Sequence, residues 1–148
     1  MMAALFLIPL LAGAAAFFWR SEQGRRALLI AAALAHTGLT AFAWGNWTPG
    51  PAPLGAWFAL GPPGLLVLSV ASLLFLLAAF DAVGYLRRER TRNEYHADIE
   101  EHLFFRNEPE SIFIGYMLMF LASMTGATFC QHFGMLWVGI EATTLTSA

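Results

Sequence analysis

The sequence contains no lysine, and arginine supplies all eight of its basic residues. Charged residues make up 12% of the chain, about half of the share that soluble domains carry. A lysine is a usual intramembrane partner of a carboxylate in a proton relay, so we expect any such lysine to come from protein that this sequence does not contain. The formal net charge is −2, and no basic face with interleaved aromatic residues indicates nucleic-acid binding.

The chain has a single cysteine, Cys130, which excludes an intrachain disulfide and a four-cysteine metal site. We expect a free, partly buried thiol at this position. The sequence also lacks a glycine-rich phosphate loop, a nucleophile elbow and zinc-type cysteine spacing. The sequence therefore carries none of these catalytic or phosphate-binding motifs, and we expect no cofactor in this chain.

Hydrophobic residues make up 58% of the chain, and its mean hydropathy is +0.60. They form blocks long enough to cross a bilayer as helices, without the alternation of a barrel strand. Four blocks cover residues 2–19, 27–44, 64–86 and 111–130, and a fifth begins near Phe133. The sequence thus predicts an all-α, polytopic transmembrane helical bundle with four full spans and a truncated fifth.

Polar residues divide the chain into three segments. Residues 1–86 form an N-terminal three-helix membrane segment, residues 87–110 a cytoplasmic polar link, and residues 111–148 the fourth span and truncated fifth span. Arginines occur in the first and third links, whereas the second link, 45–63, has none. Positive residues stay on the cytoplasmic side, so we expect the N-terminus outside. Residues 54–61, between prolines, are expected to form a short extended segment.

Glu141 is a lone carboxylate in the fifth apolar run, roughly 10 Å into the hydrocarbon at ~1.5 Å per residue. A charge at that depth costs at least ~2.5 kcal/mol and normally faces a protein interior or a wet path. Hydrocarbon favours the protonated carboxyl and a nearby cation favours the carboxylate, which makes Glu141 a candidate for proton transfer. The alternative is a structural carboxylate paired to a neighbouring helix. The chain ends seven residues later, so we expect other protein to complete the site.

Two more ionisable residues lie within apolar spans. His36, in the middle of the second span, could relay protons, ligate haem or form hydrogen bonds across a helix interface. Asp81, near the inner end of the third span, could snorkel towards the interface and pair with Arg87 or Arg88, or it could provide a proton entry. His132, before the fifth span, is expected to be solvated or capping, and a haem between it and His36 is a weaker alternative.

The polar link contains one pattern that resembles metal-ligand spacing. If the link is helical, His96 and Glu100 share a face, as do Asp98 and His102. Nothing in the link excludes water, however. A solvated linker or a contact with a partner subunit is therefore the alternative to a metal site.

Residues 135–148 read MLWVGIEATTLTSA. They resemble the fifth-helix motif of antiporter-like proton-pumping membrane subunits, above all component F of hydrogenase-4 and formate hydrogenlyase complexes. In that branch a tryptophan and a few small or apolar residues precede Ile-Glu-Ala-Thr-Thr-Leu. Residues 61–86, which close on Gly-Tyr-Leu before Arg87, resemble its third helix. The family includes the pumping subunits of respiratory complex I and the large subunits of multisubunit cation/proton antiporters.

The resemblance covers the N-terminal quarter to third of a family member. It implies that Glu141 takes part in proton transfer opposite a lysine on a later helix, and that residues 1–86 are scaffold. That later helix and the inverted repeats of the family are missing here. The link 87–110 is longer and more acidic than the family pattern, and Cys130 and His132 have no assigned counterpart.

The resemblance also implies the kind of complex, the membrane and the partners of this chain. It makes the chain a non-catalytic, proton-translocating subunit of a larger oxidoreductase in the inner, cytoplasmic membrane of a prokaryote. The expected partners are membrane-arm subunits that supply the missing helices and a cation for Glu141, peripheral iron-sulfur subunits with or without nickel–iron, and the lipid bilayer. The alternative is a non-transporting structural or assembly subunit of such a complex.

Overall fold

The computed structural model describes residues 2–46, 57–97 and 110–147. Within these residues the chain forms five α-helices: α1 Met2–Phe18, α2 Glu22–Gly45, α3 Pro62–Ala97, α4 Glu110–Phe129 and α5 Phe133–Ser147. Three stretches are long and apolar enough to cross a membrane: α2, the part of α3 over Pro62–Arg88, and α4; α1 is apolar but shorter, with 17 residues. The predicted all-α helical bundle of a membrane protein is confirmed.

Helix α4 is the centre of the bundle and packs against the other four helices. Its buried positions, among them Ile114, Leu118, Leu121, Thr125 and Phe129, recur every three or four residues and so form one continuous face. Helix α5, in contrast, packs mainly against α4, and none of its residues is buried. The bundle therefore has a closely packed four-helix part, α1 to α4, and one peripheral helix, α5.

The contact between α1 and α4 depends on small residues. A methyl group at Gly115 would lie 2.6 Å from the ring of Phe17, and one at Gly13 would lie 3.2 Å from the carbonyl oxygen of Gly115. The Phe17 ring also meets Tyr116 edge to face, with centroids 5.9 Å apart. Close packing of this kind holds helices together where lipid removes the hydrophobic driving force.

Two helices extend further than the apolar blocks indicate. Helix α2 begins at Glu22, where the amide of Gly24 donates to the Ser21 hydroxyl at 3.3 Å in an N-cap. Helix α3 continues through the arginine-rich run to Ala97, because no proline or glycine interrupts it after Gly84. The boundary placed at residues 86–87 thus marks a change of composition inside one helix.

One end of the bundle, here the bridged end, joins residues 57–59 to residues 129–131. The amide of Ala59 donates to Phe129 O and that of Gln131 to Trp57 O, both at 2.9 Å. Phe58 and Cys130 form an isolated antiparallel bridge. The expected extended segment is therefore present at Phe58, while residues 54–56 lie outside the described residues.

The other end, here the arginine end, is held by a buried ion pair. Arg26 donates from Nε and Nη2 to the two carboxylate oxygens of Glu110, each at 2.8 Å. The two side chains are 10% and 13% exposed, respectively. Arg26 Nη2 also lies 3.5 Å from the carbonyl oxygen of Leu86. One guanidinium thus connects α2, α3 and the first turn of α4, where the helix dipole favours a carboxylate.

Breaking this pair should destabilise the bundle strongly. Loss of one partner removes the bidentate contact from a largely buried charge, which costs up to about 3–5 kcal/mol. Without Glu110, Arg26 keeps the longer contact of 3.9 Å with Glu22. We expect Arg26→Met and Glu110→Gln each to lower the unfolding temperature in detergent, measured by light scattering on heating. Arg20→Met, at an exposed position near the same end, is the matched control and should change little.

The double variant Arg26→Met/Glu110→Met should recover part of the loss, because it removes both charges. If Arg26→Met unfolds at the same temperature as Arg20→Met, the ion pair does not hold this end of the bundle.

Candidate functional site

Glu141 lies on the peripheral helix α5, about 12 Å along the helix from its first residue, Phe133. Its side chain is exposed. Within the described part of the chain, it has neither a hydrogen-bond partner nor a cation within 4.0 Å. The carboxylate thus has no partner from the described part of its own bundle.

The two sides of α5 differ in what they contact. One side packs on α4, where a methyl group at Gly139 would lie 3.1 Å from the Cβ atom of Ala127. The opposite side carries Trp137, Val138 and Leu145, which are 66%, 59% and 75% exposed. Glu141 shares this side, because residues three, four and seven apart lie on one helix face. We call it the outer face of α5.

The hydroxyl groups near Glu141 all bond back to their own helix. Thr143 and Thr144 donate to the carbonyl oxygen of Ile140 at 2.6 Å and 3.1 Å, and Thr146 donates to that of Ala142 at 2.9 Å. The carboxylate of Glu141 is therefore the polar group that α5 leaves for contacts outside the described helices.

His36 occupies the centre of the four-helix part and is 1% exposed. Its Nε2 atom lies 2.9 Å from the Thr125 hydroxyl of α4, and its Nδ1 atom lies 2.9 Å from the Ser72 hydroxyl of α3. The Thr40 hydroxyl extends the cluster, 3.1 Å from that of Ser72. The expected hydrogen bonding across a helix interface is thus confirmed.

The number of hydrogen atoms in this cluster limits which of its groups can donate and which must accept. The hydroxyl groups of Ser72 and Thr125 each have a helix carbonyl at 2.7 Å, on Leu68 and Leu121 respectively, to which they can donate. A neutral imidazole donates from one nitrogen and accepts at the other. When the ring is neutral, one of the two hydroxyl groups must therefore donate its hydrogen to the accepting ring nitrogen, and it no longer donates to its helix carbonyl. Two such arrangements exist, one for each tautomer, and both keep α2 tied to α3 and α4.

The two histidines proposed for haem are not arranged as a ligand pair. Both ring nitrogens of His36 already have hydroxyl partners. His132 lies at the bridged end, where its ring stacks on Trp57 with centroids 5.2 Å apart and its Nδ1 accepts from the amide of Gly134 at 3.2 Å. His132 is exposed, so it is the solvated capping histidine that the sequence predicted.

The metal-like pattern of the polar link falls largely beyond the described chain. Asp98, Glu100 and His102 lie outside the described residues, and His96 is described only as part of the α3 backbone. Elsewhere in the described ranges, no group of three or more histidine, cysteine or acidic side chains is arranged to hold a metal ion.

Asp81 is exposed on α3 and does not form the ion pair that was considered for it. Neither Arg87 nor Arg88 places a nitrogen within 4.0 Å of its carboxylate. The reason is geometric, since six or seven residues correspond to about 10 Å of rise, beyond the three- or four-residue spacing of helix pairs. Asp81, like Glu141, has no partner among the described side chains.

Cys130 is free and half-buried, as expected. Its thiol donates to the carbonyl oxygen of Gly126 at 3.2 Å. Burial raises the pKa of this thiol, so the neutral form predominates at physiological pH. Its environment is structural, next to the backbone bridge of the bridged end.

An apolar groove of about 970 Å³ runs between α3, α4 and the last turn of α5. Leu74, Phe75, Tyr116, Phe120 and Leu145 are among its lining residues. No charged side chain lines it, and it includes none of Glu141, His36 and Asp81. The groove is therefore separate from the ionisable groups.

Comparison with family models, curated proteins and solved structures gave no match. The resemblance carried by residues 135–148 therefore remains a prediction from the sequence. What the structure adds is the placement of the three ionisable residues. His36 lies inside the bundle, whereas Glu141 and Asp81 lie on its surface on two different helices.

Sequence reasoning missed two polar contacts that hold the bundle. Ser72 and Thr125 were not singled out, although each occupies a buried position in the three-to-four-residue repeat of its helix. Arg26 and Glu110 were read as link residues because they stand at the ends of apolar blocks. A polar residue in phase with a buried face is the signal that could have identified Ser72 and Thr125.

The His36 cluster should contribute measurable stability. Interhelical hydrogen bonds in membrane proteins are worth about 0.6 kcal/mol on average and at most about 1.7 kcal/mol. We expect Thr125→Val to lower the free energy of unfolding by about 1 kcal/mol, measured by SDS titration in mixed micelles. Thr144→Val, where the exposed hydroxyl bonds only its own helix, is the control. Equal values for the two variants would contradict a bond across the interface.

Proposed function

We propose that this chain is a membrane-arm component of a proton-translocating redox complex of the complex I or energy-converting hydrogenase type. In this proposal Glu141 is the carboxylate that takes up and releases a proton. Iron-sulfur subunits, with or without nickel–iron, carry the electron transfer elsewhere in the complex. The chain itself makes and breaks no covalent bonds other than those to the transferred proton.

The observation that carries the proposal is the unpartnered carboxylate of Glu141 on the outer face of α5. A bare carboxylate facing hydrocarbon costs at least ~2.5 kcal/mol. The residue is therefore either protonated or met by a cation from another protein. Both states are available to it only because its own bundle supplies no permanent counter-charge among the described residues.

The chemistry follows from these two states. When a cation of a neighbouring helix lies close to Glu141, the ionised form is favoured, and when that cation moves away the carboxyl takes up a proton. The packing of Gly139 on Ala127 fixes the face that α5 presents. The backbone of α5 thus holds the carboxylate in place while the partner changes position.

Replacing the carboxylate should separate transport from assembly. We expect Glu141→Gln to lower donor-driven proton transport by at least about tenfold, because an amide cannot carry the proton. Assembly should stay largely intact, since the amide keeps the size of the side chain. Transport is measured by quenching of a pH-sensitive dye in inverted native membrane vesicles, with hydrogen, formate, carbon monoxide and NADH each tested as donor.

Glu141→Asp keeps a carboxylate and should retain part of the transport, which distinguishes loss of the proton-carrying group from altered packing. Unchanged pumping by the glutamine variant would refute the role of Glu141. The proposal of a proton-translocating complex would be refuted if, with every donor, wild-type vesicles acidified no faster than vesicles of a deletion strain.

A second function, a non-transporting structural or assembly subunit, is favoured by a different observation. The interior polar contacts all connect helices to each other. They join Arg26 to Glu110, and His36 to Ser72 and Thr125. If Glu141→Leu left transport unchanged and raised the unfolding temperature, Glu141 would be a structural carboxylate and this second function would be preferred.

A further inference from the structure

One surface of α3 combines apolar packing positions with a charge. Val70, Leu74, Leu77, Asp81 and Gly84 follow one another at alternating spacings of four and three residues, so they lie along one side of the helix. We call this row the Asp81 seam. Val70, Leu74 and Leu77 are 51%, 60% and 58% exposed, and the side chain of Asp81 is exposed as well.

The seam has room for a closely packed helix. A methyl group at Gly84 would meet nothing within 4 Å. Small residues at such positions let two helix backbones approach each other in a membrane. Asp81 stands one turn before Gly84, so a helix packed on the seam would cover its carboxylate.

Lipid alone would leave the Asp81 carboxylate of this surface without a hydrogen-bonding or charged partner. Asp81 lies about 10 Å along α3 from Arg88, inside the apolar stretch Pro62–Arg88. Intramembrane carboxylates usually face protein or water and pair with a charge. Asp81 has no cation within 4.0 Å among the described side chains. The missing counter-charge therefore belongs to whatever covers the seam.

A second copy of this chain in the same orientation has no basic residue at the depth of Asp81, because its nearest arginines on α3, Arg87 and Arg88, lie about 10 Å further along the helix. The sequence has no lysine, and no arginine occurs in residues 27–86 or 107–148. Arg26, at the start of α2, is already engaged with Glu110. A cation at the depth of Asp81 is therefore not supplied by the 148 residues of this sequence.

We propose that the Asp81 seam binds a transmembrane helix of another protein that carries a lysine or arginine at the depth of Asp81. This contact is separate from the outer face of α5, because α3 and α5 are different helices that both pack on α4. The contact does not require proton transfer at Glu141. The experiment that tests this contact measures proximity between two proteins. It can fail while the transport experiment succeeds, and it can succeed while the transport experiment fails.

Site-directed photocrosslinking in native membranes tests this proposal. A benzophenone-bearing amino acid replaces Leu77 in the seam, or Leu11 on α1 as a lipid-facing comparison that is 63% exposed. We expect the probe at position 77 to form one protein adduct. Mass spectrometry should identify a partner with a basic residue inside a transmembrane segment.

The adduct should depend on the carboxylate. Asp81→Asn should reduce its yield about tenfold or more, because the partner's charge would be left buried without a counter-charge. Asp81→Glu should restore most of the yield. Gly84→Leu should also reduce it, and a Cβ atom at position 84 meets no atom of its own bundle within 4 Å, so this variant tests the seam even if Asp81→Asn fails to accumulate. Thr144→Val on α5 should leave the adduct unchanged.

Four results would overturn the proposal. The probe at position 77 could label only lipid, as at position 11, or a second copy of this chain. The captured partner could lack a basic residue within its membrane spans. Finally, the adduct could persist at full yield in both Asp81→Asn and Gly84→Leu.

Discussion

The cost of placing polar groups in hydrocarbon is the constraint on which this structure depends. Where water is absent, a polar side chain needs a partner within the protein or from a neighbour. His36 satisfies this requirement with hydroxyls from α3 and α4, and Arg26 satisfies it with Glu110. These contacts lie at different levels of the four-helix part. Together with the close approach of α1 to α4 at Gly115, they determine which helix faces meet.

Glu141 and Asp81 are two carboxylates within apolar stretches of the described helices that this internal pairing leaves out. Each lies on an exposed face rather than in the buried interior, on α5 and α3 respectively. Among the described side chains no basic nitrogen lies within 4.0 Å of either carboxylate, and the arginines of the sequence stand at span ends or in polar links. The bundle therefore presents a carboxyl group at each of two surfaces, and both proposals for partner contacts start from these two groups.

Much of the fold could be predicted because hydrophobic block length is a local property. The apolar blocks correctly placed five helices within a few residues, and the free Cys130 and capping His132 followed from their positions at helix ends. The helix extension to Ala97 was missed, because a change from apolar to charged residues alters solvation but does not by itself end a helix. The resemblance at residues 135–148 also came from sequence alone, and the pumping role that it implies stays a prediction.

The sequence by itself determined that this chain forms membrane helices and that Glu141, His36 and Asp81 lie within apolar stretches. These properties follow from composition along one segment at a time. Only the tertiary structure decided that His36 is enclosed by Ser72 and Thr125 while Glu141 and Asp81 face outward. Which side of a helix is covered depends on contacts between residues distant in sequence, such as Arg26 with Glu110. Nearly uniform hydrophobicity around α3, α4 and α5 leaves that choice to packing.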